Sequence, residues 1–155
     1  MEKKTKVNAE EGKQDLLITR EFELPVDLLF KAYSDKEILE QWMGTKVLKL
    51  ANQAHGGWQF ETKDQNGKTV FKAHGVIHTF DAGKKIVRTF EMENAPFGVQ
   101  LEVLTFEKLS DDSSKLTIHS IYETNELRDQ MLKLPFAYGI NMAHNRLEEI
   151  VCKLK

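Results

Sequence analysis

The sequence predicts an α+β fold in which about six to seven antiparallel strands form a curved sheet around one long C-terminal helix. Three features predict this fold: a first strand followed by two short helices, a middle region of strands joined by short turns, and a C-terminal segment with helical periodicity. With 155 residues, a hydrophobic fraction of 41% and a charged fraction of 30%, the chain suits one globular domain.

The first strand and the two short helices occupy the N-terminal third of the chain. Residues 16–22 alternate between apolar and polar side chains, as in a strand with one buried face. Pro25 ends this strand and suits the first turn of a helix. Ser34 and Glu37 have the spacing of a capping box, in which the Ser hydroxyl accepts from the backbone N–H of residue 37, so we expect a second helix to begin there. Gly44 is expected to end that helix.

The rest of the chain changes from strand to helix periodicity. The region 46–123 has the pattern of strands broken by turn sequences, of which Asp64–Gly67, with its Asn-Gly pair, is the clearest. The short connections indicate an antiparallel meander. Between residues 136 and 154, apolar residues recur at steps of three and four, which predicts the long helix. Pro135 stands before this stripe, so residues 125–134 are predicted to form a separate or kinked helical turn.

The first 14 residues are polar and show no periodicity that would bury a face. We predict that residues 1–14 are mobile or loosely docked, with Lys6–Asn8 as a candidate edge strand, and that the domain spans residues 15–155. This segment contains no apolar run of signal-peptide length, and no run in the sequence approaches the ~18 apolar residues that span a bilayer. We therefore expect a cytoplasmic protein without a membrane span.

Charge and cysteine content argue against several classes of function. The 22 Lys and Arg residues nearly balance 24 Asp and Glu residues, for a formal charge of -2. Nucleic-acid binders normally carry a basic excess, so no nucleic-acid partner is expected. Cys152 is the only cysteine, which excludes an internal disulfide, and its helical, apolar setting predicts a buried or half-buried inert thiol.

The sequence contains no recognisable catalytic or metal-binding motif. Four residues of strand put His74 and His78 about 13 Å apart, too far for both to ligate one zinc ion. No Gly-x-Ser-x-Gly elbow, phosphate-binding glycine loop or dinucleotide fingerprint is present. We therefore predict no catalytic residue, no metal and no cofactor.

A series of short motifs runs in order between residues 5 and 154: Ile18–Phe22, Pro25, Trp42–Gly44, Gly56–Phe60, Asp64–Gly67, His74–Ile77, Thr89–Phe90, Phe106, Leu116–Thr117, Arg128–Leu132, Gly139 and Arg146–Leu147. In this order they resemble the SRPBCC, or START-like, superfamily, and most closely its subgroup related to the activator of the heat-shock-90 ATPase. The resemblance implies a helix-grip fold with a ligand-sized cavity between the sheet and the terminal helix. Pro135–Phe136 departs from the family pattern, and its bulk would narrow the mouth of this cavity.

Three functions are compatible with this resemblance. Relatives bind lipids, sterols, polyketides or plant hormones, so the preferred hypothesis is a protein that binds a small hydrophobic molecule in its cavity. Some relatives are aromatase or cyclase enzymes, so the first alternative is a cyclase- or hydrolase-like enzyme that uses Glu102 and a histidine. The second alternative is a chaperone partner, as the subgroup name implies, or a homodimer, formed through the outer surface. The sequence does not identify the ligand.

The candidate cavity residues are mostly large and apolar, and individually they also suit a hydrophobic core: Trp42, Trp58, Phe60, Phe90, Phe106, Met131, Phe136 and Ile140. The polar candidates are His74, Glu102, His119 and Arg128. Glu102 shares a strand face with Phe106. If that face is concave, the carboxylate is buried and needs a partner, and if it is convex, the carboxylate is solvated. Trp58 is predicted to be buried on the concave face, and Gly75 to mark a bend or a close approach of the terminal helix.

Overall fold

A computed structural model describes residues 4–93 and 95–155. The described residues form eight strands, which are β1 (Lys6–Asn8), β2 (Asp15–Phe22), β3 (Lys46–Leu50), β4 (Gly57–Lys63), β5 (Thr69–Asp81), β6 (Lys85–Met92), β7 (Val99–Lys108) and β8 (Ser114–Ile121). They also form four α-helices, which are α1 (Val26–Ser34), α2 (Lys36–Met43), α3 (Asn125–Leu132) and α4 (Phe136–Val151). None of these helices is both long enough and apolar enough to cross a membrane.

All eight strands belong to one antiparallel sheet, in the order β1-β2-β8-β7-β6-β5-β4-β3. The predicted α+β fold with a curved antiparallel sheet is confirmed. The strand number exceeds the expected six to seven because Lys6–Asn8 pairs with β2, where Val7 lies opposite Ile18. Breaks in register within the β3–β4, β4–β5 and β5–β6 pairs bend the sheet locally.

The inner face of the sheet carries the core, and the helices cover it. Along β7, Gln100, Glu102, Leu104 and Phe106 are buried while the alternate residues are more exposed, as strand geometry requires. Helix α1 packs on β7 and β8, and α4 packs on α1 and α2. The face of Glu102 is therefore the concave one.

The two C-terminal helices follow the predicted division at Pro135. Helix α3 ends before this residue and α4 begins at Phe136. Leu147 is fully buried, whereas Leu154, the last residue of the predicted apolar stripe, is exposed because the α-helix ends at Val151. Cys152 follows this end and is also exposed, so the expectation of a buried or half-buried thiol is wrong.

The start of α2 differs by one residue from the predicted capping box. Asp35, and not Ser34, is the N-cap, and its Oδ1 accepts from the backbone N–H of Ile38 at 3.1 Å. The Ser34 hydroxyl instead donates to the carbonyl of Phe30, 3.0 Å away, and so stays with α1. Helix α2 ends at Gly44 in the left-handed conformation, with φ 64°, as predicted.

The N-terminal residues add contacts to the sheet and to α4. The backbone N–H of Thr5 donates to Asn141 Oδ1 at 3.0 Å, and the Thr5 hydroxyl lies 2.9 Å from His144 Nδ1. Together with the pairing of β1, these contacts extend the docked part of the chain to Thr5. The domain boundary at residue 15 stays a prediction.

Gly75 lies on β5, opposite Trp58 of β4 and close to the Thr89 backbone of β6. Trp58 packs beside it, and the Trp58 indole N–H donates to the carbonyl of Thr89 at 3.1 Å. A Cβ atom at position 75 would collide with that Thr89 carbonyl and lie 2.6 Å from Trp58 Nε1. The close approach predicted from this glycine therefore exists, but it involves a neighbouring strand and an indole, and not the terminal helix.

Replacing Gly75 with Ala is expected to destabilise the protein by about 1–3 kcal/mol, because the added methyl group overpacks a site bounded by backbone. Gly139→Ala is the matched control, since a Cβ built there meets no described atom within 4 Å apart from its chain neighbours and the backbone of its own helix. An alanine inside a helix is favoured over glycine by about 0.5–1 kcal/mol, so this control should be neutral or stabilising. Urea unfolding of both variants measures the difference, and a stabilised Gly75→Ala protein would contradict the close approach.

Candidate functional site

A pocket of about 500 Å³ lies between the inner face of the sheet and the helices. Sheet and helices both contribute to its wall, which is formed by Ile18, Tyr33, Trp42, Met43, Arg88, Phe90, Met92, Gln100, Glu102, Ile118, Met131, Leu134, Pro135, Phe136, Ile140 and Ala143. Most of these side chains are aliphatic, aromatic or thioether groups. The arrangement is that of a small-molecule site, a mostly apolar wall with few polar groups.

The turn between α3 and α4 forms the outer wall of the pocket. Met131 is buried at the end of α3, while Leu134, which also lines the pocket, is 47% exposed. The pocket therefore reaches solvent at this turn. Pro135 and Phe136 line the pocket at the same turn, and the narrowing of the opening by their bulk stays a prediction.

One cluster of polar side chains interrupts the apolar wall. Arg88 and Glu102 are cross-strand partners in the β6–β7 ladder, and Arg88 Nε donates to Glu102 Oε1 at 2.9 Å. Gln100 Nε2 donates to Glu102 Oε2 at 3.0 Å. The three residues are only 8%, 9% and 7% exposed, in the order Arg88, Glu102 and Gln100. Both oxygens of the carboxylate are thus bonded, and the buried charge has the partner that burial requires.

The guanidinium group of Arg88 packs on the aromatic ring of Trp58. Its guanidinium carbon lies 5.0 Å from the centroid of the Trp58 ring, the geometry of a cation–π contact. Trp58 in turn packs against Phe90, with ring centroids 5.3 Å apart. Trp58 is therefore a supporting residue for two side chains of the pocket wall.

Tyr33, which lines the pocket, is the first member of a series of buried hydrogen bonds that extends away from the pocket. The Tyr33 hydroxyl is 2.8 Å from His144 Nε2, and His144 Nδ1 is bonded to Thr5. Arg20 donates to the Thr5 hydroxyl at 3.2 Å and reaches Glu148 at 3.4 Å. Burial, together with the positive charge of Arg20, lowers the pKa of His144 to about 3. Burial also raises the pKa of Tyr33, so both rings are neutral at pH 7.

The neutral state of His144 predicts a loss of stability as pH falls. Between the ordinary histidine value near 6.5 and about 3, the unfolded chain binds a proton at residue 144 that the folded protein does not bind. The free energy of unfolding is therefore expected to decrease from pH 6.5 to 4.5 by up to about 1.4 kcal/mol per pH unit from this group.

His144→Gln should remove that contribution and flatten the dependence on pH, while His78→Gln, which changes an exposed histidine, should keep the wild-type slope. Urea unfolding at several pH values measures the slopes. Equal slopes for wild type and His144→Gln would rule out a buried neutral imidazole.

Half of the predicted cavity residues line the pocket, namely Trp42, Phe90, Glu102, Met131, Phe136 and Ile140. Three further candidates, Trp58, Phe60 and Phe106, are buried but are not part of its wall. Phe106 packs against the rings of Phe30 and Tyr33, and Phe60 packs against Trp58. These three belong to the core that supports the pocket.

The remaining polar candidates lie away from the pocket. His74 and His119 occupy outward positions on their strands, where His74 pairs with Glu91 and Glu93, and His119 Nε2 lies 2.7 Å from Asp15. Hydrogen bonding to His119 lowers the pKa of Asp15. In residues 4–93 and 95–155, no three His, Cys, Asp or Glu side chains come together as metal ligands would.

Arg128 is buried for a structural reason. Its Nη1 donates to the backbone carbonyls of Glu10 and Asp15, at 2.6 and 2.9 Å, and its Nη2 lies 2.9 Å from Asp129. The side chain thus ties α3 to the first residue of β2 and to the chain segment before it, and it does not line the pocket.

Four polar residues of the site or its support were missed from the sequence: Tyr33, Arg88, Gln100 and His144. Arg88 was detectable, because it alternates with Ile86 and Phe90 and so shares their buried face. Gln100 was detectable in the same way, two residues before Glu102. Tyr33 and His144 lie on helices that meet only in the folded protein, and their contact has no local signal.

Comparison with known proteins gives one family. The matching family model describes Activator of Hsp90 ATPase homolog 1-like protein and covers residues 23–152. No functionally curated protein gives a significant match. A crystal structure of a protein from Rhodobacter sphaeroides has a TM-score of 0.86 at 16% sequence identity, covering 96% of this chain and 99% of that chain.

Two further solved structures show the same fold. Protein Ms6760 from Mycobacterium smegmatis has a TM-score of 0.82 at 22% identity, with 94% of this chain and 95% of that chain covered. A protein from Arthrobacter aurescens has a TM-score of 0.83 at 18% identity, with 96% and 91% covered. At these identities, likeness of structure shows the fold alone. The match over residues 23–152 shows the family, and the chain belongs to the Activator of Hsp90 ATPase homolog 1-like proteins, as its START-like motifs indicated.

Proposed function

We propose that the protein binds a small, mostly apolar molecule in the pocket between the sheet and the C-terminal helices. The observation that carries this proposal is the composition of the wall, an aromatic, aliphatic and thioether lining interrupted by one bonded polar cluster. The volume of about 500 Å³ lies inside the range of roughly 300–1,000 Å³ found for small-molecule sites. The family match supports the fold on which this proposal depends.

Burial of apolar surface supplies the driving force for such binding. A ligand that loses roughly 300 Å² of apolar surface to the pocket gains about 7.5 kcal/mol at about 25 cal/mol per Å². Association costs about 4 kcal/mol or more in lost translational and rotational freedom. Apolar burial therefore favours binding, and contacts with the polar cluster decide how tight the complex becomes.

Acid–base catalysis in the pocket is the weaker hypothesis. An enzyme of the kind expected from Glu102 would pair this carboxylate with a histidine. Both Glu102 oxygens are instead bonded to Arg88 and Gln100, and the described residues that line the pocket include no histidine. His144 lies behind Tyr33 and reaches the pocket only through that hydroxyl. This arrangement supports a carrier rather than an enzyme.

Titration with the uncharged dye N-phenyl-1-naphthylamine tests the proposal. Saturable binding is expected for the wild type, and Ile140→Trp should weaken it at least ten-fold, about 1.4 kcal/mol, because Ile140 lines the pocket and a larger side chain there occupies the ligand's space. Tyr138→Trp is the matched control: the same side chain is added to α4 at an exposed position outside the pocket wall. Circular dichroism spectra of both variants check that each is folded.

Equal affinity of wild type and Ile140→Trp would place the dye elsewhere and contradict the proposal. A wild-type protein that binds no dye would favour the second candidate, contact with a chaperone or another protein. That candidate has its own support on the outer face of the sheet, where Leu17, Val99 and Leu101 are 37% to 38% exposed.

A further inference from the structure

On the basis of the proposed function, we infer that the pocket selects an uncharged apolar molecule carrying a hydroxyl group, which bonds to the cluster of Arg88, Gln100 and Glu102, and that it disfavours carboxylates. The inference extends the proposed function from apolar molecules in general to one class of them. It depends on the charge balance of the wall and on the kinds of hydrogen bond that the cluster offers.

The charge balance comes from the register of β6 and β7. That register places Arg88 opposite Glu102, and the two form the ion pair at 2.9 Å. The other described residues of the wall carry no ionised group at pH 7, since Tyr33 is the only other titratable side chain among them and its pKa is raised by burial. The wall therefore holds one positive and one negative charge, already paired.

Because the two charges of the wall are already paired, a ligand carboxylate and a ligand hydroxyl differ in the cost of entering the pocket. A ligand carboxylate loses its hydration when it enters the pocket, and the wall offers it no unpaired cation. It would also lie close to the Glu102 carboxylate, so its desolvation cost is not compensated. An uncharged hydroxyl has a much smaller desolvation cost. Exclusion of anions thus follows from Glu102, because Arg88 alone would attract them.

The cluster also has the bonding capacity that a hydroxyl needs. A hydroxyl donates one hydrogen bond and accepts others, and the cluster contains both kinds of partner, in the guanidinium and amide N–H groups and in the carboxylate and amide oxygens. The aromatic and thioether side chains beside the cluster, including Phe90 and Met92, provide the surface for the apolar body of the molecule.

Four probes with one ring system separate charge from hydrogen bonding: naphthalene, 2-naphthol, 2-naphthoate and its methyl ester. At pH 7 the naphthol is neutral and the naphthoate is ionised, as expected for a phenol titrating near 10 and a carboxyl near 4. Calorimetric titration of the wild type should show 2-naphthol binding at least about ten-fold tighter than naphthalene, and the ester at least about ten-fold tighter than the naphthoate.

One variant and its control test whether the cluster causes the discrimination against carboxylates. Glu102→Gln keeps the shape of the side chain and leaves Arg88 without its carboxylate, so the affinity for 2-naphthoate should rise at least about ten-fold. Glu91→Gln makes the same change of net charge on β6 at an outward position beside His74, and it should leave all four affinities unchanged.

Different results would contradict the proposed function, the recognition of a hydroxyl and the discrimination against carboxylates. If none of the four probes binds to the wild type, the proposed function itself is rejected. If naphthalene binds as tightly as 2-naphthol, the pocket is apolar and hydroxyl recognition is wrong. If the naphthoate binds as tightly as its ester, or if Glu102→Gln leaves the affinity for naphthoate unchanged, the charge balance does not select the ligand. The ester comparison uses the wild type only and therefore holds even if Glu102→Gln does not fold.

Discussion

Replacing Arg88 with Met is expected to lower the free energy of unfolding by about 3–5 kcal/mol, because it leaves the buried Glu102 carboxylate without its cation. The substitution also removes the cation–π contact with Trp58. Met approximates the length of the Arg stem, so the loss comes mainly from the charge and its hydrogen bond. Urea unfolding at pH 7 measures the change through the midpoint and the slope of the transition.

The double variant Arg88→Met with Glu102→Leu provides the internal test of this explanation. Replacing both members of a buried ion pair with apolar groups is often neutral or even stabilising, so the double variant should recover most of the stability lost in the single one. Lys108→Met is a control at a surface pair, since Lys108 and Asp111 are both largely exposed and such pairs contribute about 0–1 kcal/mol. If Arg88→Met costs no more than Lys108→Met, the pair is not desolvated.

For this ion pair, the sequence indicated which face of β7 carries Glu102 but not which residue is its partner. Alternation along one strand is a local property, and it places Glu102 on the same face of β7 as Phe106, so a concave face there implies a buried carboxylate. The partner of Glu102 depends on the register between two strands, which the sequence did not specify. The need of a buried carboxylate for a cation was thus foreseeable, while the identity of that cation was not foreseen.

Two helix boundaries were predicted correctly, whereas the N-cap of α2 and the contacts of His144 were not. The division at Pro135 and the end of α2 at Gly44 follow from backbone chemistry that each residue carries with it. The choice between Ser34 and Asp35 as N-cap depends on where α1 ends, because the Ser34 hydroxyl is already used by the last turn of α1. His144 was not singled out because its partners, Thr5 and Tyr33, are more than a hundred residues away in sequence.

Truncation of Trp58 should be as damaging as loss of Arg88, with an expected cost of about 3–5 kcal/mol for Trp58→Ala. Trp58 is 1% exposed, and its ring lies 4.7 Å from Phe60 and 5.3 Å from Phe90. Its removal leaves a cavity beneath the pocket wall, frees the guanidinium of Arg88 from its aromatic support, and takes the indole donor from the carbonyl of Thr89.

Trp58→Phe separates the ring from the hydrogen bond. The smaller ring retains part of the packing while the Thr89 carbonyl loses its donor, so we expect a cost of about 1–3 kcal/mol, less than for Ala. Tyr138→Ala, which truncates an exposed aromatic residue on α4, should change the stability by no more than about 0.5 kcal/mol. If Trp58→Ala unfolds at the same urea concentration as this control, then Trp58 does not occupy the core. In that case the register of β4 against β5 is wrong, and with it the support beneath Arg88 and Phe90.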